Sequence, residues 1–148
     1  MAEDPIAEGT SECDGRSVIG TVVGGFRSRE FMPRILLIED DANVRMVMEH
    51  TLIDGGYEVD TAGTVSVGCD LLRRHLYDLV VADARMPDGS GIELADKARD
   101  IGVPALIITG YAFNLPRDDL DRFEFLLKPV RPSELLQAVE RVLQTEST

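Results

Sequence analysis

The sequence predicts an α/β fold built on a parallel β-sheet, and two observations support this. Short, almost wholly apolar runs alternate along the chain with segments whose apolar residues recur at helical spacing. The apolar runs lack the polar–apolar alternation of half-exposed strands, as is typical of parallel strands covered on both faces. With 148 residues, of which 44% are hydrophobic, the chain suits one domain with a proper core.

The first strand–helix unit is predicted to begin close to residue 34. Residues 34–39 form the strand, and a helix follows from about Ala42. Gly55 and Gly56 end this helix, because glycine readily adopts a left-handed conformation. Apolar positions at helical spacing define the expected inner face of the helix. This face comprises Val44, Val47, Met48, Thr51 and Leu52.

Two further units follow. Residues 57–60 form a short strand ahead of a helix at about 64–75, and residues 79–83 form a buried strand ahead of a helix at about 92–99. The inner face of the first of these two helices is expected to comprise Val67, Leu71 and Leu72. Each unit supplies one strand and one covering helix, as the crossover between parallel strands requires.

The segment between the fourth predicted strand, residues 105–108, and the fifth, residues 123–127, is irregular. Pro116 would break the interior of a helix and Gly110 would weaken its start, so only residues 117–122 could form a turn or two. The fourth helix is therefore expected to be short or absent.

The two ends of the chain differ in character. Residues 1–32 hold scattered Gly, Ser and acidic residues without a clear period, which predicts a flexible extension. A last helix is predicted to begin at Pro132, a favoured first-turn residue, with Glu134 well placed against the helix dipole. The folded domain is thus expected to span residues 33–145, with residues 146–148 as a tail.

The composition limits the compartment and the partners. The formal net charge of −12 disfavours a direct nucleic-acid partner, since phosphates would be repelled. No apolar run is long enough to span a bilayer, and no apolar signal-peptide core follows the start. Only Cys13 and Cys69 are present, so a disulfide framework is not expected and the reducing cytoplasm is the predicted location.

Four predicted strands end on polar residues suited to phosphoryl chemistry. These are Glu39 and Asp40 at the end of the first strand, Asp83 at the end of the third, Thr109 after the fourth and Lys128 after the fifth. Because ligands bind outside the carboxyl ends of parallel strands, the five side chains are expected to gather at one edge. Each alone has an ordinary explanation as a solvated turn, a strand end or a surface lysine. Their joint occurrence at four strand ends argues for a site.

A divalent cation and a phosphoryl group would complete such a site. Mg²⁺ prefers hard oxygen ligands and keeps several waters, so Asp40 and Asp83 could hold it while Glu39 anchors a bound water. Asp83 is also the best nucleophile, because a carboxylate can form an acyl phosphate. Lys128 would supply positive charge to the phosphoryl oxygens, and Thr109 a neutral hydroxyl donor.

Four motifs resemble the receiver domain of two-component response regulators. They are ILLIEDDANVR at residues 35–45, YDLVVADARMP at 77–87, IITG at 107–110 and FLLKP at 125–129. The resemblance covers about residues 33–144. It implies a flavodoxin-like, doubly wound sheet of five parallel strands in the order 2-1-3-4-5.

The resemblance also implies roles for particular residues. Asp83 becomes the phosphoacceptor, which takes its phosphoryl group from a phosphohistidine on a sensor histidine kinase or a phosphotransfer protein. Asp40 and Asp83 become direct Mg²⁺ ligands, with Glu39 completing the acidic pair and the backbone carbonyl of Arg85 as the third protein ligand. The remaining matches are Thr109 as the switch hydroxyl, Lys128 as the phosphate-binding lysine and Phe125 as the switch aromatic residue.

The chain departs from the family pattern in two places. The stretch between Thr109 and Lys128 is short, and its Thr-Gly-Tyr sequence is similar to that of alphaproteobacterial single-domain receivers, although Ile107 and Ile108 differ from their signature. Arg85 and Tyr111 lie two residues after Asp83 and Thr109, where their bulk would hinder a hydrolytic water and slow dephosphorylation. Alternatively, both side chains simply point to solvent.

The expected function is that of a stand-alone receiver, a monomer or phosphorylation-dependent dimer that is not itself an enzyme. It would signal to an unknown downstream protein by direct contact or act as a phosphate sink. One alternative is a phosphorylation-independent interaction module, although such a module would not need Asp83, Thr109 and Lys128. A phosphatase with an aspartyl nucleophile is disfavoured, since such enzymes usually need a second Asp where this chain has Arg85.

Overall fold

The computed structural model describes residues 32–110 and 117–147. The strands of its main sheet are β1 Arg34–Ile38, β2 Glu58–Ala62, β3 Leu79–Asp83, β6 Ala105–Thr109 and β7 Glu124–Leu127. They are all parallel and ordered β2-β1-β3-β6-β7, which confirms the predicted order 2-1-3-4-5. A short antiparallel pair, β4 Arg85–Met86 and β5 Gly89–Ser90, follows β3.

Helices cover both faces of this sheet. They are α1 Ala42–Asp54, α2 Val65–Arg74, α3 Gly91–Asp100, α4 Arg117–Arg122 and α5 Pro132–Ser147. Successive residues of β1 divide between the faces: Leu36 and Ile38 belong to the core under α2 and α3, whereas Ile35 and Leu37 belong to the core under α1 and α5. This division follows from the alternation of side chains along a strand, and it makes the sheet doubly wound.

The predicted inner faces of two helices are partly wrong. In α1, Val44 and Val47 are exposed, and Met48 and Leu52 make the buried contacts. Apolar residues occur around much of α1, so spacing alone did not single out the buried face. In α2, Val67 is exposed because Gly68 faces the sheet instead, where a β-carbon would lie 2.7 Å from Ile38 Cδ1.

The fourth helix is short, as the sequence predicts. Among the described residues it comprises the six residues of α4, between β6 and β7. Tyr111 and Pro116 lie outside the described residues. The strand ends also shift slightly: β2 continues to Ala62, two residues beyond its predicted end, and β7 begins at Glu124 rather than Phe123.

The predicted end of the first helix and the predicted start of the last helix are confirmed, whereas the last helix continues to Ser147, into the residues predicted as a tail. Gly56, just after α1, has a positive φ of 99°, a conformation that glycine adopts without steric cost. α5 begins at Pro132, and Glu134 in its first turn accepts a 2.9 Å hydrogen bond from the Arg131 N–H. This contact satisfies a backbone donor beside the helix start. Within the described residues, no helix has the length and apolar character needed to cross a bilayer.

Candidate functional site

The residues predicted to form a site meet at the carboxyl edge of the sheet. Glu39 follows β1, Asp83 ends β3, Thr109 ends β6 and Lys128 follows β7. These four strands are neighbours in the sheet. Backbone hydrogen bonds hold their ends together: the Ala84 N–H donates to the Ile108 carbonyl at 2.9 Å, and the Lys128 N–H to the Thr109 carbonyl at 2.9 Å. The strand ends therefore position the side chains through the sheet itself.

Lys128 pairs with two buried carboxylates. Its Nζ lies 2.6 Å from Asp83 Oδ2 and 3.1 Å from Glu39 Oε1, and the Lys128–Pro129 peptide bond is cis. Asp83 and Glu39 are only 6% and 1% exposed. Burial alone would lower the pKa of Lys128. The hydrogen bond and charge of Asp83, and then the nearby negative charge of Glu39, outweigh burial and raise that pKa. The lysine is therefore held in its charged form.

Glu39 is the most buried acid of the site. Burial raises its pKa, as does the negative charge of Asp83, against the opposing effects of the Asp41 N–H and Lys128. The Asp41 N–H donates to Oε2 at 3.1 Å. Oε1 lies within ion-pair distance of Lys128, yet none of the described residues donates a well-aligned hydrogen bond to it. A buried carboxylate oxygen without such a donor suits a cation or a cation-bound water.

Three carboxylates converge in a manner that suits Mg²⁺. Glu39, Asp40 and Asp83 each offer an oxygen, and these oxygens lie within 4.8 Å of one another. Asp40 is exposed, so an ion held there could keep several waters, as Mg²⁺ prefers. Together with the buried Glu39 Oε1, which pairs with the Lys128 ammonium but has no aligned hydrogen-bond donor among the described residues, this donor set fits a hard divalent cation. The acidic group predicted from the sequence is therefore brought together in the structure.

The other predicted site residues lie around this cluster. Thr109 is fully buried at the end of β6, and Phe125 in β7 is half-buried against the core beneath α2 and α3. Arg85 is exposed, and its N–H donates to Asp83 Oδ1 at 3.0 Å. The roles of Thr109 and Phe125 in switching, and of the Arg85 carbonyl as a ligand, stay predictions. Tyr111 is outside the described residues.

Gly91 is a site residue that sequence reasoning missed. A β-carbon at this position would lie 1.9 Å from the carbonyl oxygen of Asp83, far inside any tolerated contact. The Gly91 N–H also donates to the Ala84 carbonyl at 3.1 Å, so the start of α3 is pressed against the end of β3. Only glycine allows this approach. The Gly-Ser-Gly sequence at residues 89–91 was the signal that could have found it.

Asp88 and Arg45 are further supports that the sequence did not reveal. Asp88, in the turn between β4 and β5, accepts hydrogen bonds from the Val65 and Ser66 N–H groups at 2.8 and 3.0 Å. It thereby caps α2 from a distant loop. Arg45 Nη1 donates to the Glu39 carbonyl at 2.7 Å. Both contacts fix loops that present the carboxylate cluster.

Replacing Asp88 by Ala should lower stability at neutral pH, and this loss should fade in acid. Hydrogen bonds from Val65 and Ser66 lower the pKa of Asp88 from its ordinary value of 3.8. A carboxyl group whose folded pKa is lowered stabilises the protein above its unfolded pKa and ceases to do so as the pH falls through the folded value. Urea unfolding should therefore separate variant and wild type from about pH 5 upward. The difference should begin to shrink near the ordinary pKa of 3.8 and vanish only below the lowered pKa of the folded protein.

Asp100→Ala, at the exposed end of α3, is the matched control for this experiment and should change the urea midpoint little at any of these pH values. A destabilisation by Asp88→Ala that is equal at every pH would contradict a role for the charged carboxylate.

The family description "Response regulator receiver domain" matches residues 35–140, which include Glu39, Asp40, Asp83, Thr109 and Lys128. The chain belongs to the response regulator receiver family. The resemblance stated from the four motifs is therefore confirmed at the level of the family. The particular Thr-Gly-Tyr subtype is not confirmed.

Curated relatives of this receiver domain include proteins of different lengths. An uncharacterised 14.6 kDa protein of Leptolyngbya boryana is 33% identical over 114 residues, which cover 72% of this chain and 87% of that protein. The response regulator ArlR of Staphylococcus aureus is 29% identical over 119 residues, covering 78% of this chain and 54% of ArlR. The chain thus spans about half the length of ArlR.

Solved structures similar to this receiver domain share its fold. A CheY-like receiver domain protein of Methanospirillum hungatei has a TM-score of 0.70 at 27% identity, with 78% of this chain and 97% of that chain covered. The response regulator TrrA of Thermotoga maritima, in complex with Mg²⁺–BeF, has a TM-score of 0.66 at 30% identity, covering 75% of this chain and 99% of that chain.

Proposed function

We propose that this receiver domain accepts one phosphoryl group on Asp83, from a phosphohistidine of a sensor histidine kinase or a phosphotransfer protein, in a Mg²⁺-dependent reaction. It then signals by contact with a downstream protein or serves as a phosphate sink. The observation that carries the proposal is the buried Asp83 carboxylate, 2.6 Å from the Lys128 ammonium and grouped with two further carboxylates. We assign the domain to residues 33–147, which include all of α5, and its location to the cytoplasm.

The geometry suits transfer onto a carboxylate. An Asp83 oxygen attacks phosphorus as the bond between phosphorus and the donor imidazole nitrogen breaks, and the nitrogen keeps the electron pair. The Arg85 N–H on Oδ1 and Lys128 on Oδ2 fix the orientation of the carboxylate before attack. Lys128 then neutralises charge on the phosphoryl oxygens, and the Thr109 hydroxyl can turn toward the new phosphate.

Mg²⁺ would be held by Asp40, Asp83 and the Arg85 carbonyl, with Glu39 holding a bound water. When bound, it supplies positive charge to the transferring phosphoryl group and lowers the repulsion between that group and the carboxylates. The complex of TrrA with Mg²⁺–BeF supports this assignment for a related fold.

A phosphorylation-independent binding module is the second candidate. Such a module would use an outer surface, and it would gain nothing from two buried carboxylates around one lysine. Removing those charges from water costs several kcal/mol per ion in typical proteins, so their retention is better explained by chemistry at the site.

The experiment that tests the proposal is incubation of the full chain with acetyl phosphate, with Mg²⁺ or with an excess of EDTA, read by intact mass. We expect a gain of one phosphoryl group with Mg²⁺ and none with EDTA. Absence of any gain in both arms, repeated with a phosphorylated phosphotransfer protein as donor, would favour the binding module.

Replacing Lys128 by Met should make Mg²⁺ stabilise the protein more strongly than it stabilises the wild type. The ammonium lies 2.6 Å from Asp83 and 3.1 Å from Glu39, and it competes with a metal ion for their negative charge. At saturating metal, each tenfold gain in affinity adds about 1.4 kcal/mol to the free energy of unfolding. Thermal unfolding with and without Mg²⁺ measures the difference.

Lys97→Met serves as the matched control, because Lys97 Nζ contacts Cys69 Sγ rather than Glu39 or Asp83. It should leave the Mg²⁺ effect unchanged. An equal Mg²⁺ effect in Lys128→Met and wild type would contradict the competition between lysine and metal.

Arg85→Ala should shorten the half-life of the phosphorylated protein. The Arg85 side chain is exposed two residues after Asp83, where its bulk would hinder an attacking water. The decay of intact mass after removal of acetyl phosphate measures the half-life, with the exposed Arg74→Ala as control. A half-life that Arg85→Ala leaves unchanged would favour the alternative that this side chain only points to solvent.

A further inference from the structure

A groove of about 700 Å³ lies between the ends of α2 and α3, beside the amino ends of β3 and β6. It is therefore at the opposite edge of the sheet from Asp83. Its floor is apolar and includes Leu72, Tyr77 and Val103, all buried. A volume of this size can receive a short peptide segment or a small ligand.

The rim of this groove is basic. Arg73, Arg74, His75 and Lys97 line it, and none of its lining residues in the described part of the chain is acidic. Arg73 is paired with Asp70 on the same helix, whereas Lys97 Nζ faces Cys69 Sγ at 3.8 Å. The formal net charge of the whole chain is −12, so the basic lining of the groove differs in sign from the charge of the chain as a whole. The groove therefore suits an acidic occupant with an apolar residue.

The chain itself contains a segment of that composition. Residues 3–14 read EDPIAEGTSECD, with five acidic residues, no basic residue and Ile6 among them. We propose that this segment docks in the groove between α2 and α3, with its carboxylates against the basic rim. The proposal concerns a surface distinct from the phosphoacceptor site, and it does not depend on the proposed phosphorylation.

The chain enters the folded domain next to the groove. The Arg34 guanidinium lies 5.4 Å from the ring centroid of Tyr77, which is part of the groove floor. The Arg34 N–H donates to Asp78 Oδ2 at 2.8 Å, so the start of β1 is fixed there. Residues 15–32 connect the acidic segment to this point, and a coil of roughly 18 residues spans about 25 Å on average. The segment can therefore reach the groove.

Covalent connection also favours this occupant over a separate acidic peptide. A short linker holds the segment at an effective concentration in the millimolar range, so that even weak charge pairing populates the docked form. A free peptide of similar composition would need to be present at that concentration to compete.

Paramagnetic broadening in the full chain tests the proposal. Cys69→Ser leaves Cys13, within the acidic segment, as the only thiol, and a nitroxide is attached there. In the ¹⁵N-labelled protein we expect amide signals of residues 72–77 and 97–101 to lose most of their intensity, while those around Asp83 and Lys128 keep theirs. No loss in the groove would overturn the proposal.

Reversing the charge of basic residues in the groove tests whether the broadening comes from docking or from random encounters with the nitroxide. The double variant Arg74→Glu and Lys97→Glu should restore the groove signals, and high salt should do the same in the unreversed chain. The matched control is the double variant Arg117→Glu and Arg131→Glu, which changes the net charge by the same amount at exposed residues in α4 and just before α5. It should not restore the groove signals. Dispersed amide spectra show that each variant is folded. Broadening that persists in Arg74→Glu and Lys97→Glu would overturn the proposal.

Mixing differently labelled proteins distinguishes docking within one chain from docking between two chains. Unlabelled protein that carries the nitroxide is added to ¹⁵N-labelled protein that lacks it, and we expect no broadening in this mixture. Broadening of the groove residues there would assign the groove to the acidic segment of a second copy and overturn docking within one chain.

Discussion

The Asp83→Asn variant should gain no phosphoryl group from acetyl phosphate and Mg²⁺ under conditions in which the wild type gains one. A carboxamide is not a competent nucleophile for phosphorus and cannot form an acyl phosphate. The substitution keeps the size of the side chain, which is buried beside Lys128 and Glu39, so the loss reports on chemistry rather than packing. Intact mass of the two proteins after the same incubation measures the effect.

Asp88→Asn is the matched control for this loss. Asp88 is an exposed aspartate five residues further along, and it caps α2 without belonging to the carboxylate cluster. It should still be phosphorylated. A phosphoryl gain by Asp83→Asn equal to that of the wild type would contradict the assignment of the phosphoacceptor, and peptide mapping would then identify the residue that carries the group.

The convergence of the site could be predicted because it follows from topology. Once the apolar runs are taken as parallel strands, the polar residues that end them must share an edge, and the structure brings Glu39, Asp83, Thr109 and Lys128 together there. This argument needs no knowledge of side-chain packing. It depends only on strand direction and on where each apolar run stops.

The difference between Glu39 and Asp40 could not be predicted in the same way. The two acids are adjacent in sequence, yet Glu39 is almost fully buried and Asp40 is exposed. The Glu39 N–H still pairs with the Ala62 carbonyl at 3.0 Å, so this residue continues the sheet, whereas the chain turns away at Asp40. If the strand ended one residue earlier or later, the environments of Glu39 and Asp40 would differ from those observed.

Contacts between distant loops and elements could not be predicted from the sequence either. Asp88 caps α2 through Val65 and Ser66, which precede it by 23 and 22 positions, and no local sequence pattern predicts this contact. Which residues pack in the core is also hard to predict: Val44 and Val47 were expected on the inner face of α1 but are exposed. Spacing identifies which residues share a helix face, but the neighbouring elements decide which face is covered.

Gly91→Ala should destabilise the domain and slow phosphorylation together. The added β-carbon would lie 1.9 Å from the carbonyl oxygen of Asp83 and 2.9 Å from its carbonyl carbon. Both are backbone atoms, so no side-chain rotation relieves the clash, and either β3 or the start of α3 must move. Overpacking of this kind typically costs about 1–3 kcal/mol, and a backbone clash belongs at the upper end of that range. Urea unfolding measures the stability change.

Gly110→Ala is the matched control, since among the described residues a β-carbon there would meet nothing closer than Lys128 Cβ at 3.9 Å. It should change the free energy of unfolding by no more than about 1 kcal/mol. The atom displaced by Gly91→Ala belongs to the phosphoacceptor itself, so the initial rate of phosphorylation should fall further than the folded fraction explains. If the folded Gly91→Ala protein is phosphorylated at the wild-type rate, α3 has moved and the Asp83 loop has stayed in place. In that case the glycine serves packing of the helix alone.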